Sequence, residues 1–505
     1  MTLKTADLEN LFEKALSQSD LTTLEEVGVV VKVGDGMCHI NGITHALYGE
    51  IVLFEGGNKG MILDLEEDLA TAFFLYNTIP VNEGEMVHRT KSVFKLGVGE
   101  SLLGRVVNAL GTPIDGLGTV DVVEERSIEV DIPGIADRSP VNESLETGIM
   151  AIDTLVPIGR GQRELIIGNR NTGKTAIALD TILHQKGKNV LCIYVAIGQR
   201  QVNVARLMHT LQERGSLEYT AIIIADASDA VLCRYMAPYV GTTLAEYLRD
   251  QGRDVLIVYD DLTDHAIAYR EMSLLMRRSP GREAYPGDIF YLHSHLLERS
   301  GKFLAGGSIT ALPIVQLQGD DLTAYIPTNL ISITDGQIFL DSHLFNSGVR
   351  PAVNGELSVS RVGGAAQTKA IRKVTKSLRL DLAQYSELVG FSQFGTELDI
   401  VSQRQLARGA IAVELLKQDQ FNTRPFEQQA IVLFLFQKGF LEGKEKNLAV
   451  DCAWKLAVDC AWKFVDYIKH TQTAIYDRIK HDADISTQTD KQLSDYAREF
   501  MMMCK

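Results

Sequence analysis

The spacing of apolar residues changes twice along the chain. Between residues 25 and about 90, short apolar runs at 27–33, 37–40 and 61–65 are broken by Gly34, Asp35, Gly36, Asn41 and Gly42. This is the punctuation of strands joined by tight turns, and closing such strands into a small β-barrel removes their free edges. From about 95 to 370, apolar runs at 163–167, 189–196, 220–225, 254–259 and 311–317 alternate with helical stretches. That alternation predicts an α/β domain around a mostly parallel, buried sheet. Beyond about 373 the strand signal fades, and residues 376–500 are rich in Leu, Ala, Gln, Lys and Glu, the composition of helices. Ahead of all this, Leu8, Leu11, Phe12, Ala15 and Leu16 fall on one stripe of a helix. The stripe suits packing on its own domain or docking on a partner.

The expected organisation is therefore multidomain: an N-terminal helix at 1–24, a β-barrel at 25–92, an α/β domain at 93–372 and a helical domain at 373–505. A length of 505 residues is too great for one ordinary core and agrees with about three domains. Within the helical region, residues 448–455 read LAVDCAWK and residues 456–463 repeat them letter for letter. Eight residues are too few for a solenoid repeat. Such an insertion turns a continuing helix by about 80° beyond two full turns.

Charge narrows the partners. Lys and Arg number 50 against 65 Asp and Glu, a net charge of −15, which argues against a broad surface that neutralises nucleic-acid phosphates. The densest apolar run, 430–436, is far shorter than the roughly 18 residues of a membrane span. The first residues carry charges with no apolar core or Arg/Ser-rich leader. Any membrane role is thus expected to be peripheral, on a bacterial cytoplasmic face or inside an organelle. None of the six cysteines forms a CxxC pair, so neither a zinc site nor a disulfide framework is expected.

The chemistry concentrates in one motif. Gly168, Asn169, Arg170, Asn171, Thr172, Gly173, Lys174 and Thr175 match GxxxxGK[ST], after the strand-like RELII and before a helical stretch at 176–184. A strand–loop–helix setting is what a P-loop requires, because backbone N–H groups and the helix N-terminus cradle phosphate. Lys174 is expected to reach the β/γ-phosphates and Thr175 to ligate Mg²⁺. A second apolar run, VLIVY, ends in Asp260 and Asp261, and Asp260 is the expected metal-side carboxylate. To this point the residues specify an ATP- or GTP-binding protein of the P-loop class.

Longer stretches go further. Residues 158–169 (IGRGQRELIIGN), 259–300, 327–341 (PTNLISITDGQIFLD) and 358–370 (SVSRVGGAAQTKA) closely resemble the α subunits of F-type ATP synthases. The resemblance runs from about residue 25 to about 440. It implies a β-barrel, a RecA-like P-loop nucleotide domain and a helical domain, with ATP and Mg²⁺ as cofactors. It also implies assembly with β subunits in an alternating α3β3 ring around the γ shaft. The N-terminal helix would meet the delta/stator subunit, and the complex would sit peripherally on the inner face of an energy-transducing membrane, coupled to proton or sodium flow.

The resemblance also assigns residues. The catalytic β subunits carry a Glu just after the strand that follows the P-loop helix. Here that place reads Ala196-Ile197-Gly198-Gln199-Arg200, and no other carboxylate presents itself there, so this chain is expected to bind nucleotide without hydrolysing it. Arg361 matches the family's arginine finger, reaching in trans into the β site, with Ser358 and Ser360 setting its geometry. Phe345, Arg350, Pro351, Gln418 and Gln420 would surround the base. Gln162 and Arg170 would touch phosphate or metal-bound water. Asn169 and Asn171 depart from the family's usual Asp and Gln, the segment after Ser300 is short, and the helical domain diverges most. A self-sufficient homohexameric ATPase or helicase is the competing reading, and it needs a catalytic carboxylate beside Gln199.

Overall fold

The computed structural model describes residues 26–75, 79–392, 399–442 and 450–503. The apolar stripe from Leu8 to Leu16 and the start of the octapeptide repeat lie outside them. The chain forms two compact units: residues 1–95 with 230–233 and 271–278, and the remainder.

In the first unit six strands close on themselves: β1 (Val27–Gly34), β2 (Met37–Asn41), β3 (Glu50–Phe54), β4 (Lys59–Leu65), β5 (Leu69–Phe74) and β6 (Met86–Val93). Their order is β1-β2-β5-β4-β3-β6, and β6 returns to pair with β1. All neighbours are antiparallel, so alternate side chains face inward. Val30, Ile40, Val52, Ile62, Ala72 and Val87 fill the interior.

The second unit is built on a largely parallel sheet. Its strands are β7 (Val106–Asn108), β8 (Leu165–Asn169), β9 (Val190–Gln199), β10 (Thr220–Asp226), β11 (Asp254–Asp260), β12 (Ser308–Leu317), β13 (Gly336–Leu340) and β14 (Val359–Ser360). They lie in the order β14-β13-β8-β12-β11-β9-β10-β7, with β14 antiparallel at one edge. The five expected strand runs all fall here; β7, β13 and β14 are additional. β9, β10 and β11 are buried along nearly their whole length, which is why their sequences read as continuous apolar runs rather than alternations.

After residue 373 the described elements are the helices Leu378–Ser392, Ile400–Leu416, Phe426–Gln437, Val450–Thr471, Thr473–Asp482 and Thr487–Met503. The apolar run 430–436 sits inside the Phe426–Gln437 helix and is buried on every side. The apolar core is continuous from Ile166 and Leu340 of the sheet to Ile411, Phe434 and Phe464 of these helices. Across the described part of the octapeptide repeat, from residue 450 on, the Val450–Thr471 helix continues without a break. In the second copy Ala457, Cys460 and Ala461 are buried, and Trp462 stacks under Arg424, 4.4 Å from guanidinium to ring centre.

Candidate nucleotide-binding site

The P-loop leaves the C-terminal end of β8 and enters the Lys174–His184 helix. Gly173 at the helix entry has φ +100°, and Asn171 has φ +63°. The first favours glycine, and the second is a conformation that Asn tolerates better than most residues. Thr172 Oγ1 donates to Asn169 O across 2.8 Å. Lys174 Nζ donates to Gly168 O at 2.9 Å and Asn169 O at 2.6 Å, which draws its ammonium along the loop. Burial pushes that ammonium's pKa down, against the pull of Asp261 and Asp260. Asn169 uses both ends of its amide: Nδ2 donates to Ser342 Oγ (2.8 Å) and Oδ1 accepts from Asp320 N (3.0 Å). A carboxylate at this position could accept but not donate.

Parallel pairing carries Asp260 to the same edge of the sheet. β11 lies beside β9 in a register that sets Ala196 opposite Asp260. Thr175 Oγ1 donates to Asp260 Oδ2 at 2.8 Å, Tyr194 OH donates to the same oxygen at 2.5 Å, and Gln199 Nε2 lies 3.4 Å from Oδ1. Burial raises the Asp260 pKa, opposed by these hydrogen bonds and by Lys174. Asp261 is pushed up to about 8 by burial and by the charges of Asp264 and Asp260. Among the described residues there is no cluster of three or more His, Cys, Asp or Glu able to hold a metal. The Thr175 hydroxyl and the Asp260 carboxylate are instead a sparse donor set of the kind that would hold Mg²⁺, an ion that keeps most of its water.

A cavity of about 310 Å³ opens beside the loop, within the range of small-molecule sites. Asn171, Thr172 and Gly173 form one side, and Phe345, Arg350, Pro351, Gln418 and Gln420 are all on its wall. These segments are brought to the P-loop from 170 or more residues away in sequence. Arg350 lies over the Phe345 ring at 4.4 Å. Gln418 is fully engaged: Nε2 donates to Gly148 O and Asn422 O, both at 2.7 Å, and Oε1 accepts from Met150 N at 3.0 Å. It therefore shapes the wall through backbone groups. Ile149, Ala176, Ile177, Asp180 and Asp419 complete the lining. Ala176, Ile177 and Asp419 adjoin residues already marked in the sequence, whereas Ile149 and Asp180 are brought to the wall only by folding. Asp180 is pushed up to about 6 by burial and accepts from Phe421 N at 2.9 Å.

Two residues stand elsewhere than expected, and one expectation about Gln199 is corrected. Gln162 is fully buried and does not line the cavity: Oε1 accepts from Gly159 N (2.8 Å), while Nε2 donates to Glu164 Oε2 (2.7 Å) and Ser360 Oγ (3.1 Å). Arg170 is exposed and also lies outside the lining, though its charge acts on Asp264. The neighbourhood of Gln199 does contain another carboxylate: a Cβ on Gly198 would lie 2.8 Å from Asp264 Oδ2. The sequence hides it because Asp264 belongs to the Leu262–Leu275 helix after β11.

Arg361 is exposed at the opposite end of the sheet. Its neighbour Ser360 pairs with Gly336 at the start of β13, whereas Leu340 at the end of β13 lies beside Gly168. Four residues of strand separate those ends by about 13 Å. Ser358 is buried, and its Oγ accepts from Phe339 N at 2.9 Å. Ser360 Oγ donates to Pro157 O at 2.8 Å.

A parallel sheet with a P-loop and an acid-tipped strand at its carboxyl edge, beside a cavity of this size, defines a P-loop nucleotide-binding protein. Family comparisons agree along the sequence. Residues 24–91 match the beta-barrel domain of the ATP synthase alpha/beta family, 148–360 its nucleotide-binding domain and 367–500 the C-terminal domain of ATP synthase alpha/beta chains. The protein is 48% identical to the ATP synthase subunit alpha of Sulfurovum sp. (strain NBC37-1) over 502 residues, which cover 99% of this sequence and 98% of that one. The chain belongs to the ATP synthase α-subunit family.

Proposed function

We propose that this chain holds Mg-ATP without hydrolysing it, as the non-catalytic nucleotide subunit of a rotary F-type ATP synthase, and lends Arg361 to the catalytic site of a neighbouring β subunit. The observation that carries the first half is Gln199. Its neutral amide stands at the last residue of β9, 3.4 Å from Asp260, and an amide orients water but accepts a proton poorly. Lys174 and the P-loop amides would hold the phosphates, and Thr175 with Asp260 would hold Mg²⁺. The aromatic–guanidinium wall of Phe345 and Arg350, with Pro351 and Gln420, would take the base. Mg²⁺, when bound, supplies charge neutralisation on the phosphates.

The second half rests on placement. Arg361 is exposed, at the end of the sheet away from its own P-loop. A group there serves a neighbour's nucleotide rather than its own, and an arginine supplied in trans contributes roughly 10³–10⁵ in rate in related phosphoryl transfers. On this reading the chain alternates with β in the α3β3 ring around γ, meets the delta/stator subunit through its N-terminal segment, and lies peripheral to the inner face of an energy-transducing membrane. No described helix is long and apolar enough to cross a membrane.

The purified protein is expected to bind Mg-ATP with negligible turnover. Turnover appears when a β partner is added and is lost again with Arg361→Ala. Robust turnover by the chain alone overturns the reading. In that event Asp264→Asn decides whether the acid beside Gly198 serves as the base, which is the self-sufficient ATPase in its strongest form.

A further inference from the structure

The segment that carries Arg361 rests on a buried carboxyl group that the nucleotide site does not use. Glu164 is fully buried near the start of β8. Its Oε2 accepts from Gln162 Nε2 at 2.7 Å, while Oε1 is buried and has no hydrogen-bond partner. The same Gln162 Nε2 donates to Ser360 Oγ at 3.1 Å, and Ser360 Oγ also accepts from Gly363 N at 3.2 Å. A polar relay therefore runs from Glu164 through Gln162 to Ser360, the residue before Arg361. The opposite strand is shaped to admit it: a Cβ on Gly336 would lie 2.6 Å from Glu164 Oε2 and 2.2 Å from Val359 O. Arg361 itself is held lightly, by Arg361 N to Asp335 O (2.8 Å) and its guanidinium to Ile331 O (3.3 Å).

An isolated buried acceptor is costly, and here it lies close to a cation on a long side chain. We propose that Glu164 is a positioning residue for Arg361: protonated, it holds Gln162 and Ser360 so that the guanidinium points outward to the neighbouring subunit, and ionised, it draws the guanidinium inward onto its unpartnered oxygen. The inference rests on the finger reading of Arg361.

The charged groups around Glu164 favour the protonated state. Burial and the charge of Asp335 raise its pKa well above the usual carboxylate range, opposed by the Gln162 hydrogen bond and the charge of Arg361. Arg163, the adjacent cation, is already committed to Asp335 and Glu298. Raising the pH through the elevated pKa ionises Glu164 and withdraws the finger, so this step lowers turnover on the alkaline side.

The test uses the assembled complex with the full-length protein. Glu164→Ala cuts the polar relay and is expected to lower kcat by roughly 10- to 100-fold through misplacement of the arginine, with KM unchanged. Glu164→Gln, which keeps the hydrogen-bonding shape without the ionisable group, restores kcat near neutral pH and removes the alkaline limb attributed to Glu164. Combining Glu164→Ala with Arg361→Ala adds no further loss. If Glu164→Ala does not assemble, Ser360→Ala cuts the same relay one bond further on and reproduces the loss.

The proposal is overturned by an unchanged kcat in both Glu164→Ala and Ser360→Ala, by losses that add to that of Arg361→Ala, or by an alkaline limb that survives Glu164→Gln. Unchanged turnover in Arg361→Ala removes the finger reading and this assignment together. Loss in Arg361→Ala without loss in Glu164→Ala removes this assignment alone.

Discussion

Thr175 and Asp260 are joined hydroxyl to carboxylate across 2.8 Å although 85 residues separate them in sequence. The first belongs to the P-loop helix and the second ends β11, so the sheet itself sets the spacing of the two expected metal ligands.

Thr175→Ala and Asp260→Asn are each expected to weaken retention of Mg-ATP by roughly 10- to 100-fold, the scale set by losses within metal coordination spheres. Retention of ATP in EDTA should change far less. Nucleotide content after rapid desalting, with and without Mg²⁺, checks this. Equal losses in both conditions would place the pair outside the metal site.

The base wall separates contact from scaffold. Removing the ring that Arg350 covers at 4.4 Å, by Phe345→Ala, should lower ATP affinity about tenfold, near the upper range of a cation–π contact plus lost stacking, with little change in melting temperature. Gln418→Ala abandons Gly148 O, Asn422 O and Met150 N. It should therefore destabilise the fold by about 1–3 kcal/mol as well as weaken binding. Isothermal titration and a thermal melt on the same two variants distinguish the effects.

Much of this architecture is legible before folding. The run at 254–259 reads as a buried strand because both of its faces are covered, and GNRNTGKT declares a P-loop because its glycines and lysine do chemistry that few other loops need. β13 escapes a reading of the sequence because Gly336–Leu340 is short, although Asp335-Gly336 marks the turn that precedes it. Asp264 is hidden for a different reason: it reaches Gly198 only after β9 and β11 pair in register. Gln162 misleads because adjacency to the P-loop in sequence is not adjacency to phosphate, since the backbone turns at Gly159 and buries the amide under Ser360. Phe345 and Gln418 become visible only through the family resemblance, because their own sequences read as core and turn.

Two buried histidines set an acid limit on stability. His265 and His293 pack ring to ring at 5.4 Å, and both are fully buried. Burial lowers His265 from its ordinary 6.5 to about 4 and His293 well below its usual range, helped there by the charge of His265. Both are neutral when folded, and each takes up a proton on unfolding once the pH falls below about 6.5. Stability is therefore full above that value and is lost between about 6.5 and 4, by on the order of 3 kcal/mol for His265. His293→Leu, which abandons no hydrogen bond found for either ring nitrogen, should lose less melting temperature between pH 7 and pH 5 than the parent protein.

Arg299 is buried with no exposed side-chain surface. It makes a two-pronged bond to Glu246 (2.9 and 2.6 Å) and donates to Ile128 O and Thr243 Oγ1. Arg299→Met strands a buried carboxylate and is expected to cost about 3–5 kcal/mol. Adding Glu246→Gln should recover part of that. Arg299→Lys should not rescue, because an ammonium cannot span both oxygens in the same plane. Urea melts of the three variants test the ordering.

The barrel has a consequence for β1. Val27, Val29 and Val31 on β1 are 38%, 44% and 49% exposed, a row of β-branched side chains that would invite strand addition on an open sheet. Because β6 closes on β1, Val27 pairs with His88 and Val29 with both Met86 and Asn41, so β1 is not a free edge there. The barrel thus exposes these valines without offering β1 as an open edge for another chain.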